Sequence, residues 1–532
     1  MRGAPYVLMK RTPMDGAECL LRTLLANEVD LCLMNPGTSE MRFVAALDRV
    51  PRMRGVLGLF EGVCSGAADG YARMTGKPAA TLFHLGPGLA NALANLHNAR
   101  KARSPVVNIV GQHSTQHLDH DAPLTADIEA FARPVSGWVR TLERAEAMGE
   151  AASAAVAAAM GPPAGVATLI VPADFSWSEA GDPGCPAPRP CRPLPPNERV
   201  RLVACALRSG QAVGLLLSGS ALQARGLRAA ARLRAATGVR VFADRYAARM
   251  ARGAGIPAAE RIPYFPEPAQ ALLAGFERLI LVEAHPPVSF FGYPGLRSSL
   301  APAGCAFDVL ASEDEDGAAA LEWLAQEVGA PSSESAASGA PRPDLPGAGP
   351  LTAAAIGKTV GALLPEAAIV SDETVSSNER IWPHLAGARS HDHLPITGGA
   401  IGQGLPVALG AALACPGRKV VALEADGSAM YTLQSLWTMA RERLDVTTVI
   451  LSNRRYRILD IEMQRTGGAA VGPRAGQMID LGRPDPDWMK LAEGFGVPAA
   501  RAATAEDFIR EFAASMREPG PSLIEAALTQ EA

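Results

Sequence analysis

The residues best placed by type and spacing to do chemistry lie in KVVALEADGSAMYTLQSLWTMARERLDVTTVILSNRRY, from Lys419 to Tyr456. The run reads strand, turn, helix, strand, turn. Asp426 ends the first strand and Gly427 and Ser428 permit a tight turn. A helix expected from near Met430 then points its first free N–H groups at that turn, which makes an anion site. Asn453 ends the next strand, 27 residues after Asp426, so adjacent parallel strands would bring the two tips side by side. The Asp426 carboxylate, the Asn453 side-chain carbonyl and a turn carbonyl at Arg455 are hard oxygen donors suited to Mg²⁺, with phosphate oxygens completing its shell. An isolated Asp-Gly is usually only a turn. Here the spacing and the strand context favour the metal.

Tips of this kind need a parallel sheet behind them. Short apolar runs ending in glycine or a polar residue alternate with alanine-rich stretches along the chain: VDLCLMNPG, VLGLFEG, AATLFHLGPG, VVNIVGQ and VATLIVPA, then VGLLLSG, VRVFAD and LILVEA, then AAIVSDE, KVVALEAD, VTTVILSN and SLIEAAL. That alternation predicts an α/β fold of doubly wound parallel sheets, with ligands at the carboxyl ends of the strands. Two Pro/Gly/Ser-rich segments, around 181 to 198 and 329 to 350, read as linkers. They divide the 532 residues into domains expected at 1–180, 195–330 and 350–532.

Charged residues make up 20% and apolar ones 48%, with a formal net charge of -4, which gives no reason to expect a nucleic-acid partner. No apolar run approaches the length of a membrane span, and the N-terminus lacks a signal-peptide pattern, so a cytoplasmic location is expected. The eight cysteines are scattered, without metal-ligand spacing, and read as reduced thiols.

Several segments together resemble the thiamine-diphosphate family that includes acetolactate synthase, benzoylformate decarboxylase and pyruvate decarboxylase. They are NPGTSE (35–40), FEGVCSGAADGYARMTGKPA (60–79), HLGPGLANALANLHNA (84–99), GGAIGQGLPVALGAAL (398–413) and ADGS followed by Asn453. The resemblance implies a pyrimidine-binding first domain, a central domain, and a last domain that holds the diphosphate and Mg²⁺. It also implies a homodimer or homotetramer with each site completed between subunits. It makes Glu61 the acid that activates the cofactor through its aminopyrimidine ring. It places the Gly399 carbonyl against that ring and Ile401 as the apolar wedge that bends the cofactor. Ser376, Gly427 and Ser428 would meet the diphosphate. Two departures stand out: Ala425 replaces the first glycine of the family's GDG, and Arg454 and Arg455 follow Asn453 where small residues are usual.

On the substrate side the resemblance places Thr38 and His84 where benzoylformate decarboxylase carries a serine and a histidine that serve a 2-oxo acid. A histidine can relay protons near neutral pH. Leu124, Ile458 and Glu462 are expected to shape the pocket, Glu462 being equally readable as an exposed helix residue. His113, first of the histidines in GQHSTQHLDHDAPL, is a further catalytic candidate, while the trio His113, His117 and His120 suits a polar loop better than a metal. Phe290 or Phe291 stands where that decarboxylase has a second histidine. Acetolactate synthases often keep FAD in the central domain, but GLLLSGSALQARG is a glycine-poor turn, so FAD is not expected. The implied reaction is non-oxidative decarboxylation of a small-molecule 2-oxo acid, giving an aldehyde or, after capture by a second carbonyl, a hydroxyketone. Acetolactate synthase proper, and a cofactor-binding homologue without turnover, remain as alternatives.

Overall fold

The β-branched and leucine-rich runs become strands of three separate sheets in the computed structural model, which describes residues 14–332, 340–467 and 471–529. The first sheet holds β1 (Leu31–Asn35), β2 (Arg54–Leu57), β3 (Ala79–Phe83), β4 (Val106–Gln112), β5 (Trp138–Thr141) and β6 (Val166–Pro172), all parallel, in the order β2-β1-β3-β4-β6-β5. The second holds β7 (Val213–Leu217), β8 (Arg240–Ala243), β10 (Glu260–Arg261), β11 (Arg278–Val282) and β12 (Ala306–Ala311), in the order β10-β8-β7-β11-β12 and again parallel. The third, in the order β17-β18-β16-β15-β13-β14-β9, is built from β13 (Ala368–Glu373), β14 (His391–Pro395), β15 (Val420–Ala425), β16 (Val446–Ser452), β17 (Ala499–Ala502) and β18 (Ser522–Ala527). Its outer edge is β9 (Met250–Arg252), lent by the middle of the chain and antiparallel to β14.

Crossover helices cover both faces of these sheets, as parallel strands require. The first and third sheets share one apolar core, joined by the helices Glu61–Thr75 and Gly404–Ala414. The two helices touch backbone to backbone: a Cβ on Gly70 would lie 2.2 Å from the Val407 carbonyl oxygen, and one on Gly410 1.9 Å from that of Ala67. Any larger residue there would push the two sheets apart.

The first proline-rich segment is irregular but not loose. Gly184 N–H donates to Thr23 Oγ1 (3.0 Å), Ala187 N–H to Asn27 Oδ1 (2.7 Å) and Ser153 Oγ to the Cys185 carbonyl (2.8 Å), so it is strapped to the first sheet's helices. Of the second, residues 333–339 lie outside the described residues. Among the described residues no helix is long and apolar enough to cross a membrane.

Candidate active site

The sequence-predicted residues gather in two clusters, one at the strand tips of each outer sheet. In the third sheet β15 and β16 pair with Ala425 opposite Leu451, which sets Asp426 and Asn453 at neighbouring tips, as the spacing predicts. Asp426 is 5% exposed, and its two carboxylate oxygens accept from Gly427 N–H (2.8 Å) and Arg454 N–H (2.6 Å). Burial pushes its carboxyl up to about 6, against which these N–H donors pull. Asn453 Oδ1 accepts from Arg455 N–H at 2.9 Å, and the Arg455 carbonyl accepts from Arg457 N–H at 2.8 Å. The donor set of Asp426, Asn453 and the Arg455 carbonyl is all hard oxygen, and a buried carboxylate held above its usual range is one that a cation would relieve; the residues fit Mg²⁺.

The local backbone corrects one expectation. The helix after the turn does not start near Met430: a single helical turn, Asp426–Ala429, begins at the aspartate itself, and the next helix is Ser435–Arg441. Ser428 is buried in that first turn. Ala425 is extended, at φ -74° and ψ 143°, so the position needs no glycine. The two arginines turn aside. Arg454 pairs with Asp485 at 2.7 Å, and Arg455 takes both oxygens of Asp460, so neither stands as a spare cation at the tips. Ser376 lies half-buried in the turn after β13, beside Val375, whose φ of +45° is an outlier for a β-branched residue. That turn is pinned by Asp372, which accepts from Thr374 and Asn378 and, at 3.1 Å, from His393.

Gly399 and Ile401 sit on a loop that is anchored to the helix Leu85–Ala102. Asn98 Nδ2 donates to the Ala400 carbonyl (2.8 Å) and Asn95 Nδ2 to that of Gly402 (3.1 Å). Gly399 has φ +80°, and a Cβ on it would fall 2.4 Å from the Phe290 ring, so Phe290, not Phe291, faces this loop. Beneath it lie two acids the sequence reading gave no role. Glu373 accepts from Gly402 N–H (2.8 Å) and Gly404 N–H, and burial pushes it up. Glu424 is fully buried two residues before Asp426, and burial together with Glu373 pushes it well above the usual carboxylate range.

In the first sheet, Glu61 opens its helix, is 6% exposed, and accepts from Asn35 Nδ2 (3.2 Å) and Asn91 Nδ2 (3.0 Å). Two neutral amides thus hold the acid, with no ion pair to it among the described residues. His84 ends the loop after β3, and its Nδ1 lies 2.8 Å from Glu40 Oε2 and 3.1 Å from Ser39 Oγ. Glu40 is itself 4% exposed and accepts from Gly37 N–H and Ser39 Oγ. A Cβ on Gly37 would lie 2.1 Å from the His84 ring, so only glycine lets the imidazole rest on this turn. Thr38 is exposed, and it is the neighbouring Ser39 that meets His84.

His113 follows β4 with its Nε2 buried and without a hydrogen-bond partner among the described residues. Burial, with His117 and His84 nearby, pushes its imidazole down, so it is neutral at pH 7. Leu124 packs against the core shared by the two outer sheets. Glu462 accepts from the Tyr293 hydroxyl at 2.9 Å, and Ile458 shares its helix, Arg457–Arg465. No hydrogen bond among the described residues links the Glu61 and His84 cluster to Asp426 or Asn453.

Comparison with known proteins agrees with this layout. Residues 14–131 match the family described as thiamine pyrophosphate enzyme, N-terminal TPP binding domain, and residues 380–526 match its C-terminal TPP binding domain. A Mycobacterium tuberculosis protein named "Putative acetolactate synthase large subunit IlvX" is 52% identical over 97% of this chain and 99% of its own length. A benzoylformate decarboxylase of Pseudomonas aeruginosa is 28% identical over 92% of this chain and 94% of its own. Among solved structures, the thiamine diphosphate-dependent 4-hydroxybenzoylformate decarboxylase of Rhodococcus jostii superposes with a TM-score of 0.84 at 26% identity, covering 97% of this chain and 100% of that one. The chain belongs to the thiamine pyrophosphate enzymes.

Proposed function

We propose that the protein catalyses the non-oxidative decarboxylation of a 2-oxo acid with thiamine diphosphate and Mg²⁺, releasing an aldehyde or joining the fragment to a second carbonyl. The observation that carries this is Glu61: a buried acid at a helix start, both oxygens held by neutral amides, is dressed for proton exchange and not for a structural ion pair. When bound, thiamine diphosphate supplies a cationic ring that takes up the electrons of the broken C–C bond. Mg²⁺ would be held by Asp426, Asn453 and the Arg455 carbonyl, the diphosphate by Ser376, Gly427 and Ser428, and the aminopyrimidine by Glu61, the Gly399 carbonyl and Ile401. We assign 1–180 to the pyrimidine end of the cofactor and 350–532 to its diphosphate end, with 195–330 between them.

Glu61 would share a proton with the cofactor ring through a carboxyl oxygen. His84, kept in place by Glu40, would move protons on the substrate side together with neutral His113, while Thr38 and Ser39 meet the substrate carboxylate. Leu124, Ile458 and Glu462 would bound the pocket, with Glu462 fixed by Tyr293. Because no hydrogen bond among the described residues links the two clusters within one chain, a homodimer or homotetramer with sites shared between subunits is proposed. The free cysteines agree with a cytoplasmic location.

With thiamine diphosphate and Mg²⁺, the purified protein should release CO₂ from at least one member of a panel of aromatic and aliphatic 2-oxo acids. Glu61→Gln should lower kcat by about 100-fold or more, and Asp426→Ala should abolish cofactor binding. Cofactor binding without turnover of any acid would sink the enzyme reading and leave a non-catalytic homologue. The name carried by the 52% identical relative favours a second reading, acetolactate synthesis, which acetolactate formed from pyruvate would decide.

A further inference from the structure

The central sheet is laid out like a dinucleotide-binding unit. Its strand order places the switch point between β7 and β11, where a crevice opens at the carboxyl ends of the strands. The turn after β7 carries Gly219 at φ +51°, and an acid, Asp244, stands at the tip of β8 and accepts from Ser218 Oγ at 3.2 Å. A cavity of about 570 Å³ opens there, lined by Ser218, Asp244, Tyr246, Glu283 and His285. The helix Gly317–Glu327 begins beside it. In such a unit the pyrophosphate sits against the glycine turn and a helix N-terminus.

That place is already taken. Glu283, the residue after β11, is 2% exposed, and its carboxylate accepts from Ser220 N–H (3.1 Å), Gly317 N–H (2.9 Å) and the Ser220 hydroxyl, while pairing with Arg192 at 2.9 Å. These are the backbone donors and the cation that a phosphate would use. The fit is close on both sides: a Cβ on Gly219 would fall 2.0 Å from one carboxylate oxygen, and one on Gly317 2.6 Å from the other. Glu283 also holds φ +52°, a conformation costly to every residue but glycine, which marks the position as constrained by what its side chain does.

We infer that Glu283 is a built-in anion that closes the central domain to FAD and other dinucleotides. FAD, which the resemblance to acetolactate synthases would allow, does not fit these residues: its diphosphate and the Glu283 carboxylate would claim the same backbone donors and the same Arg192 cation, and like charges brought together there repel. The inference is independent of the reaction proposed above and holds whatever the substrate.

The test uses the full-length protein and the variant Glu283→Gly, in which glycine accepts the backbone conformation and leaves the donors unclaimed. Wild-type protein incubated with excess FAD and desalted should keep no flavin absorbance, and ADP or inorganic phosphate should not raise its unfolding temperature. In the variant, phosphate should raise the unfolding temperature by a saturable amount, and ADP should bind at least about tenfold more tightly than to wild type, since charge-assisted hydrogen bonds are regained. Stoichiometric flavin retained by the wild type, or a folded variant with no gain for phosphate or ADP, overturns the inference. Should Glu283→Gly fail to fold, the flavin and ADP measurements on the wild type still decide it.

Discussion

Replacing Asp426 by asparagine tests the cation site without relying on turnover. Burial raises the Asp426 carboxyl from 3.8 to about 6, which corresponds to about 3 kcal/mol by which the metal-free fold prefers its neutral form. The folded protein therefore binds more protons than the unfolded chain between these values. Its extra stability is complete below 3.8 and is lost as pH rises through about 6. Asparagine stands in for the neutral acid at every pH, so the stability of wild type relative to Asp426→Asn should fall by about 2 kcal/mol between pH 4.5 and 7.5. For a unit the size of the third sheet and its helices this is about 4–8 °C in unfolding temperature. The assay is thermal unfolding of both proteins in chelator across that range, repeated with Mg²⁺ and thiamine diphosphate. With ligands at pH 7.5, wild type should recover its loss and more, while the variant should not respond. A pH-independent difference between the two proteins, or equal stabilisation of both by the ligands, would refute the assignment of a buried cation ligand.

Gly37→Ala should displace the His84 ring, which a Cβ would approach to 2.1 Å; turnover of a responsive 2-oxo acid is expected to drop about tenfold or more while thiamine diphosphate binding by fluorescence titration stays unchanged. For Asp372, burial would raise the carboxyl, but His393 and Thr374 outweigh it and bring it down to about 2. Its stabilising effect is present above 3.8 and lost as pH falls through about 2, so Asp372→Asn should lower stability at neutral pH, read by denaturant unfolding. It should also weaken cofactor binding through the Ser376 turn.

What the sequence makes legible is set by how local the signal is. Asp426 and Asn453 are separated by one strand–helix–strand crossover, whose length hardly varies, so their meeting at neighbouring tips can be read from spacing. Strongly apolar strands can be read likewise. β14 (HDHLP) could not: three of its five residues are polar, and their burial goes with partners on other segments or outside the strand, Asp372 for His393, Arg249 for Asp392 and the Arg389 carbonyl for His391. β12 and β17, partly exposed at sheet edges, carry no apolar run long enough to announce themselves. The dressing of Glu61 by Asn35 and Asn91, and of His84 by Glu40, joins loops after different strands. These contacts follow from β1 lying beside β3, a strand order that no local pattern encodes. Glu373 and Glu424 were legible as residues but not as a buried pair for the same reason.

The case for a protein that binds the cofactor and does nothing rests on two departures from the family pattern, and the structure removes the physical force of each. Alanine in place of glycine matters only where the backbone needs a positive φ or the space of a Cβ, and Ala425 is extended at φ -74°. Two arginines after Asn453 would disturb a diphosphate only as free cations, and both are consumed by acids, Arg454 by Asp485 and Arg455 by Asp460. Arg454 even contributes, since its N–H donates to Asp426 from a left-handed φ of +58°. On the other side stands Glu61, a carboxyl 6% exposed and held by two neutral amides, an arrangement that a mere binding protein has no reason to retain. The balance of these terms favours turnover, and it places the weight of the functional argument on the pair of asparagines that hold the acid without neutralising it.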